Sequence, residues 1–122
     1  MAALSIAFEA PDNYGSAAPA SSKPIDFTHL ARQTMGDKEL EIEILKLFTR
    51  NARTLLHDLA AADDAGMKGI AHRLKGSADA VGAFNVSAAA EAVENGSRDS
   101  AALAKVATTV IEAENFILKL CR

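Results

Sequence analysis

Cysteine is nearly absent: Cys121 is the only one in 122 residues. A single thiol excludes a disulfide framework and a cysteine-based zinc site, and Cys121 itself reads as the frayed end of a last helix. Aromatic residues amount to 5%, with no Trp. That argues against a β-rich fold, whose strands draw on branched and aromatic side chains. Positive charge is not in excess either, since 13 Lys and Arg against 16 Asp and Glu leave a net charge of −3. The basic footprint of a nucleic-acid binder is therefore missing. No apolar run approaches the ~20 residues that span a bilayer. The N-terminus lacks basic residues ahead of its short apolar stretch, which Glu9 soon interrupts, so no signal peptide is expected. These absences predict a soluble, cytoplasmic protein with neither nucleic acid nor membrane as partner.

What remains is rich in Ala, Leu, Ile and Val, and apolar residues make up 49% of the chain. Ala and Leu favour helix. Residues 1–22 carry Ala, Ser and Pro with the breakers Pro11, Gly15 and Pro19. They cannot bury enough to offset their ordering entropy, and a flexible N-terminal tail is expected. Residues 23–122 form the expected folded domain. Asp26 should cap a short helix carrying Phe27, Leu30 and Met35 and ended by Gly36. Asp37 should cap a long one running to about Ala62, with Glu39, Glu41 and Glu43 at the positive end of its dipole. Its apolar face reads Leu40, Ile44, Leu47, Phe48, Ala52, Leu55, Leu56 and Leu59. Asp63, Asp64 and Gly66 break it, and the two aspartates read as a solvated helix end.

Further helices are expected from about 65 to 81, from about Ala83 to Glu94, and from about Asp99 to Leu120. The last has Leu103, Val106, Val110, Ala113, Ile117 and Leu120 on one side. No segment shows the period of a strand. The predicted fold is all-α, an antiparallel up-down four-helix bundle with a short additional N-terminal helix. The bundle looks self-sufficient, so a monomer is expected.

The stretch from Lys68 to Ala83 holds the chemistry. On a wheel of about 100° per residue with His72 at zero, Met67, Ile70, Ala71, Leu74, Ala78 and Val81 fall between about 160° and 260°. That stripe must face the core, so His72 must face water. Lys68 lies one turn before it, Lys75 and Gly76 one turn after, and Asp79 two turns after. A glycine inside a helix costs about 1 kcal/mol relative to alanine, and nothing structural evidently offsets that cost at an exposed position. At i+4 it leaves the imidazole uncovered and lets another protein's backbone approach. Lys75 puts a cation within reach of an anionic group bonded to His72. A surface histidine without a role remains the plain alternative at this point.

The run His72-Arg73-Leu74-Lys75-Gly76-Ser77-Ala78, followed by Val81-Gly82-Ala83, resembles the signature of histidine-containing phosphotransfer (HPt) domains of two-component phosphorelays. The resemblance extends over roughly residues 25–120 and includes Ile25-Asp26, Gly36-Asp37, Phe48 and Glu94. It implies a bundle with a phosphorylatable histidine, His72, exposed mid-helix. A response-regulator receiver domain would dock there and exchange phosphate with its own aspartate, and a sensor or hybrid histidine kinase would stand upstream. It also implies no cofactor on this chain, because the magnesium belongs to the receiver. Lys75 would stabilise the phosphoryl group and Gly76 would give access. Lys68, Arg73 and Asp79 are expected partner contacts, and Phe27, Leu30 and Ile42 are candidates for apolar contact with the partner, although each reads more readily as core or helix-to-helix packing. Asp79 departs from the family, which often has a small or uncharged residue there; it either pairs with a basic residue of the receiver or solvates the helix. His29 and His57 read as ordinary.

Two other readings compete. One is a member of the fold that binds a receiver or kinase without being phosphorylated. The other is a metal- or haem-binding bundle, against which stand apolar core stripes with no Glu-x-x-His pair. No Gly-x-x-x-x-Gly-Lys-Ser/Thr sequence occurs: Lys75-Gly76-Ser77 has the order reversed and lies within a helix. The expected role is a phosphocarrier without kinase activity of its own.

Overall fold

A computed structural model describes residues 23–121, and they form five helices with no strand. The helices are α1 (Phe27–Thr34), α2 (Lys38–Ala61), α3 (Asp64–Val81), α4 (Phe84–Glu94) and α5 (Ser100–Leu120). The tail expected over residues 1–22 lies outside the described residues.

Aspartate starts four of the five helices. Asp26, Asp37, Asp63 and Asp99 each accept hydrogen bonds from first-turn backbone N–H groups, which a helix cannot satisfy internally. A cap of this kind contributes about 1 kcal/mol relative to alanine. Asp63 thus ends one helix by starting the next. The short helix stops at Thr34, one residue earlier than Met35 would require. Met35 instead caps the helix with a left-handed φ of 54° and is 93% exposed, a correction to its place within the helix.

The core lies among α2, α3, α4 and α5. α2 packs on α3 and α5, α4 packs on the same two, and α1 lies across α2 and α3. Leu30, Leu45, Leu59, Leu74, Val86, Val93 and Val106 are fully buried, and each such side chain contributes roughly 1.5–3 kcal/mol. α2 buries Glu41, Leu45, Phe48, Ala52, Leu55 and Leu59, a row at alternating spacings of four and three. In its second half this is the expected face. In its first half the core row is turned by one residue. Leu45 goes inside, while Leu40 and Leu47 are 43% and 57% exposed. Leu120, expected on the inner side of α5, is also exposed. Across α2 and α5, the Arg53 guanidinium donates from Nε and Nη2 to Glu114 at 2.8 and 3.1 Å, and these bonds raise the Arg53 pKa above its ordinary value.

One joint sets how α3, α4 and α1 meet. α3 ends on Gly82, whose φ is +80°, a conformation glycine adopts without steric cost. The Asp26 N–H donates to the Gly82 carbonyl at 2.9 Å. A Cβ on Gly82 would stand 2.7 Å from the Asp26 carbonyl oxygen. This glycine therefore ties the start of α1 to the turn between α3 and α4, in which only Gly82 and Ala83 separate the two helices.

Candidate functional site

α3 turns Ile70, Ala71, Leu74, Ala78 and Val81 into the core, and the opposite side of the same helix carries His72. Its side chain is 72% exposed, as the wheel requires. Held at mid-helix by regular backbone hydrogen bonding, the imidazole is presented on a rigid base rather than a loop.

The ring is not loose. Its Nδ1 lies 2.8 Å from Oε2 of Glu94, the last residue of α4. A carboxylate accepts and does not donate, so Nδ1 carries the proton and donates it. In the neutral ring that leaves the lone pair on Nε2, which makes no hydrogen bond within the described residues. Glu94 is itself largely enclosed: its side chain is 19% exposed, and its other oxygen, Oε1, is buried.

Lys75 stands one turn along α3, as expected, and its Nζ lies 3.6 Å from Oε2 of Glu91 on α4. Gly76 is exposed, and a Cβ built on it would meet nothing within 4 Å. No packing inside the protein therefore calls for glycine there. The same holds for Gly69, seven residues earlier and on the same line of the helix. Ala80, also exposed, continues this low strip on the side of α3 that faces α2. Beside it runs a groove of about 160 Å³ lined by Ile44, Leu47, Phe48, Asn51, Ser77, Ala80 and Val81. Asn51 Nδ2 donates to Ser77 Oγ across it at 3.4 Å.

The other expected contacts divide. Lys68 and Arg73 are exposed on α3, and Asp79 is half-buried there. Leu30 is fully buried, because α1 packs that side against the bundle; it cannot meet a partner, and the expectation for it is corrected. Phe27 is half-buried, its ring 5.7 Å from that of Phe116. It shares with the exposed Ile42 a recess of about 360 Å³ that is also lined by Lys38, Glu41, Leu45 and Leu120. Those residues come from α1, α2 and α5, so the recess is separate from the His72 face. His57 is exposed. His29 sets its ring against Phe84 at 5.1 Å, with Nε2 buried and unpaired.

Sequence reasoning missed the carboxylates as partners of named groups. The sequence places Glu94 only in the family pattern and gives Glu91 no role, because 22 and 16 residues separate them from His72 and Lys75. Gly69 carried a usable signal, its spacing of two helical turns from Gly76. Leu47 carried none that would distinguish it from a core leucine.

The family model for the Hpt domain matches residues 43–115. The chain belongs to the Hpt domain family. No curated protein and no solved structure matches it. The matched span of this Hpt domain covers most of α2, all of α3 and α4, and most of α5. Membership assigns it to histidine phosphotransfer in two-component signalling, where Hpt domains interact with receiver domains and kinases. Among the described residues, no helix is long and apolar enough to cross a membrane, and no group of three His, Cys, Asp or Glu side chains could hold a metal ion.

Proposed function

We propose that His72 accepts a phosphoryl group from the phosphoaspartate of a receiver domain and passes it to another response regulator. The observation that carries this reading is the 2.8 Å contact between Nδ1 and Glu94 under an imidazole that is 72% exposed. It orients the ring and leaves the Nε2 lone pair to attack, because a nucleophile must be unprotonated. In the in-line step Nε2 bonds to phosphorus. The bond from phosphorus to the aspartyl oxygen breaks, and its electrons return to the receiver's carboxylate. The Nδ1 proton stays on the ring, and the positive charge the ring gains is stabilised by Glu94. Fixed charges placed where charge develops act in this way. Lys75 then stabilises the phosphoryl oxygens. The reverse step unloads the group. Magnesium belongs to the receiver, and this chain supplies no kinase activity of its own.

The receiver docks over the strip of Gly69, Gly76 and Ala80 and into the groove between α2 and α3, with Leu47 as an apolar contact. Lys68, Arg73 and Asp79 border that surface. Ile42 and Phe27 lie in their separate recess and take no part in that docking surface. We further propose that residues 23–122 form a monomeric, cytoplasmic domain and that α2 to α5 run up and down in sequence, a course favoured by the short connections between them.

The test is to incubate the protein and a His72→Gln variant with a phosphorylated receiver domain. Acid-labile, alkali-stable phosphate should appear on the parent and not on the variant. A variant that accepts phosphate normally refutes His72 as the carrier. A parent that binds the receiver and takes none makes the chain an interaction module instead.

A further inference from the structure

Three charged side chains stand on the α4 side of His72: Glu94, Lys75 and Glu91. Glu94 holds Nδ1 of the ring. Glu91 lies three residues earlier on α4, hence on the same face, and its Oε2 is 3.6 Å from Lys75 Nζ. The cation that would meet a phosphoryl group is therefore already engaged, and by a carboxylate other than the one that holds the imidazole.

We propose that Glu91 is a positioning residue that sets the phosphoryl-transfer potential of His72 by competing for Lys75. The proposal rests on His72 being the carrier. A phosphoryl group on Nε2 brings close to two negative charges. For Lys75 to reach them it must leave Glu91 or share itself between two anions, and Glu91 is then left beside like charge. Either way the phosphorylated state loses some of the benefit of Lys75, while the unphosphorylated state keeps its ion pair. Glu94 works in the opposite sense, since its partner becomes more positive on phosphorylation. The two carboxylates of α4 thus divide the labour: Glu94 favours loading, and Glu91 keeps loading from becoming a trap. A relay that must give up what it accepts needs such a balance.

Solvent limits the size of the effect. Glu91 is 52% exposed and Lys75 32%, and exposed pairs are weak. The expected shift is about two- to fivefold in the transfer equilibrium. Since Glu91 projects from the surface, replacing it removes no core packing.

The test uses the full chain and a purified receiver domain charged from acetyl phosphate, and reads the ratio of phosphorylated protein to phosphorylated receiver at equilibrium. Glu91→Gln should shift that ratio about two- to fivefold toward phosphorylated His72, and 0.5 M KCl should shrink the difference by screening. Glu91→Asp should fall back toward the parent. In a Lys75→Met background, Glu91→Gln should shift the ratio less than in the parent, by the like-charge repulsion alone. The thermal midpoint of Glu91→Gln should match the parent, which a merely structural role would not allow alongside a shifted ratio. An unchanged ratio overturns the proposal, and so does an equal shift without Lys75. A parent that takes no phosphate from the receiver overturns the carrier reading and this proposal with it. A parent that does, with an inert Glu91→Gln, overturns only the role of Glu91.

Discussion

A Gly76→Ala variant should be more stable than the parent and worse at exchanging phosphate. Gly76 sits inside α3 with ordinary helical neighbours, and a Cβ built there meets nothing within 4 Å. No steric term opposes the helix propensity, so the gain is the full difference between glycine and alanine, about 0.8–1.0 kcal/mol. For a domain of this size that raises the thermal midpoint by roughly 4–8 °C, measurable by circular dichroism. The methyl group stands one turn after His72, and helical side chains tilt toward the N-terminus, so it covers the imidazole's own patch of surface. A misplacement of about 1 Å at a reacting group can reduce rate by about a hundredfold. An edge contact from one methyl group is milder, and about a tenfold loss in transfer rate is expected. Gly69→Ala is the matched control: its Cβ is equally unopposed, but its methyl group tilts away from His72. It should give the same stabilisation with a smaller loss. The two sites lie about 10 Å apart along the axis at 1.5 Å per residue, far enough for their stability effects to add. Loss of stability in Gly76→Ala would refute the open-space argument. A gain in stability with unchanged transfer would refute the idea that this glycine exists for access.

Gly82→Ala should behave in the opposite way, losing at least ~2 kcal/mol in urea unfolding, because it combines a positive φ with a 2.7 Å approach to the Asp26 carbonyl. Glu94→Gln should slow phosphate uptake by His72 by about tenfold. Nitrogen NMR of the parent ring at neutral pH should assign the proton to Nδ1, and an excess of the Nε2-protonated tautomer would contradict the mechanism. Leu47→Glu should weaken receiver binding by about tenfold in titration calorimetry while leaving the thermal midpoint within ~2 °C of the parent, since that side chain is 57% exposed.

Much of this protein is legible along the chain because helices are local objects. Asp26, Asp37 and Asp99 begin helices where a short acceptor precedes an apolar period, and Gly82 ends one where a left-handed residue is needed. The outward aspect of His72 follows from the same period, since Ile70, Ala71, Leu74, Ala78 and Val81 leave only the opposite side for it. The first half of α2 is less legible for an equally local reason. Its apolar arc holds two adjacent rows, one through Leu40, Ile44 and Leu47 and one through Leu45 and Phe48. Periodicity measures the width of such an arc but not which row its neighbours cover. Leu30 stays open between core and partner contact for the same reason, because whether a short helix shows or hides a leucine depends on what it packs against.

The sequence by itself determined five helices, their boundaries to within a residue or two, and a histidine with lysine and glycine beside it on the solvent side of one of them. Only the tertiary structure decided that Glu94 would take Nδ1 of that histidine, that Glu91 would engage the lysine, and that Leu47 would border the groove beside the bare strip. Those pairings depend on how α4 and α2 are rotated and slid against α3. Rotation about a helix axis is set by the summed packing of every buried side chain, and no short stretch of sequence records that sum.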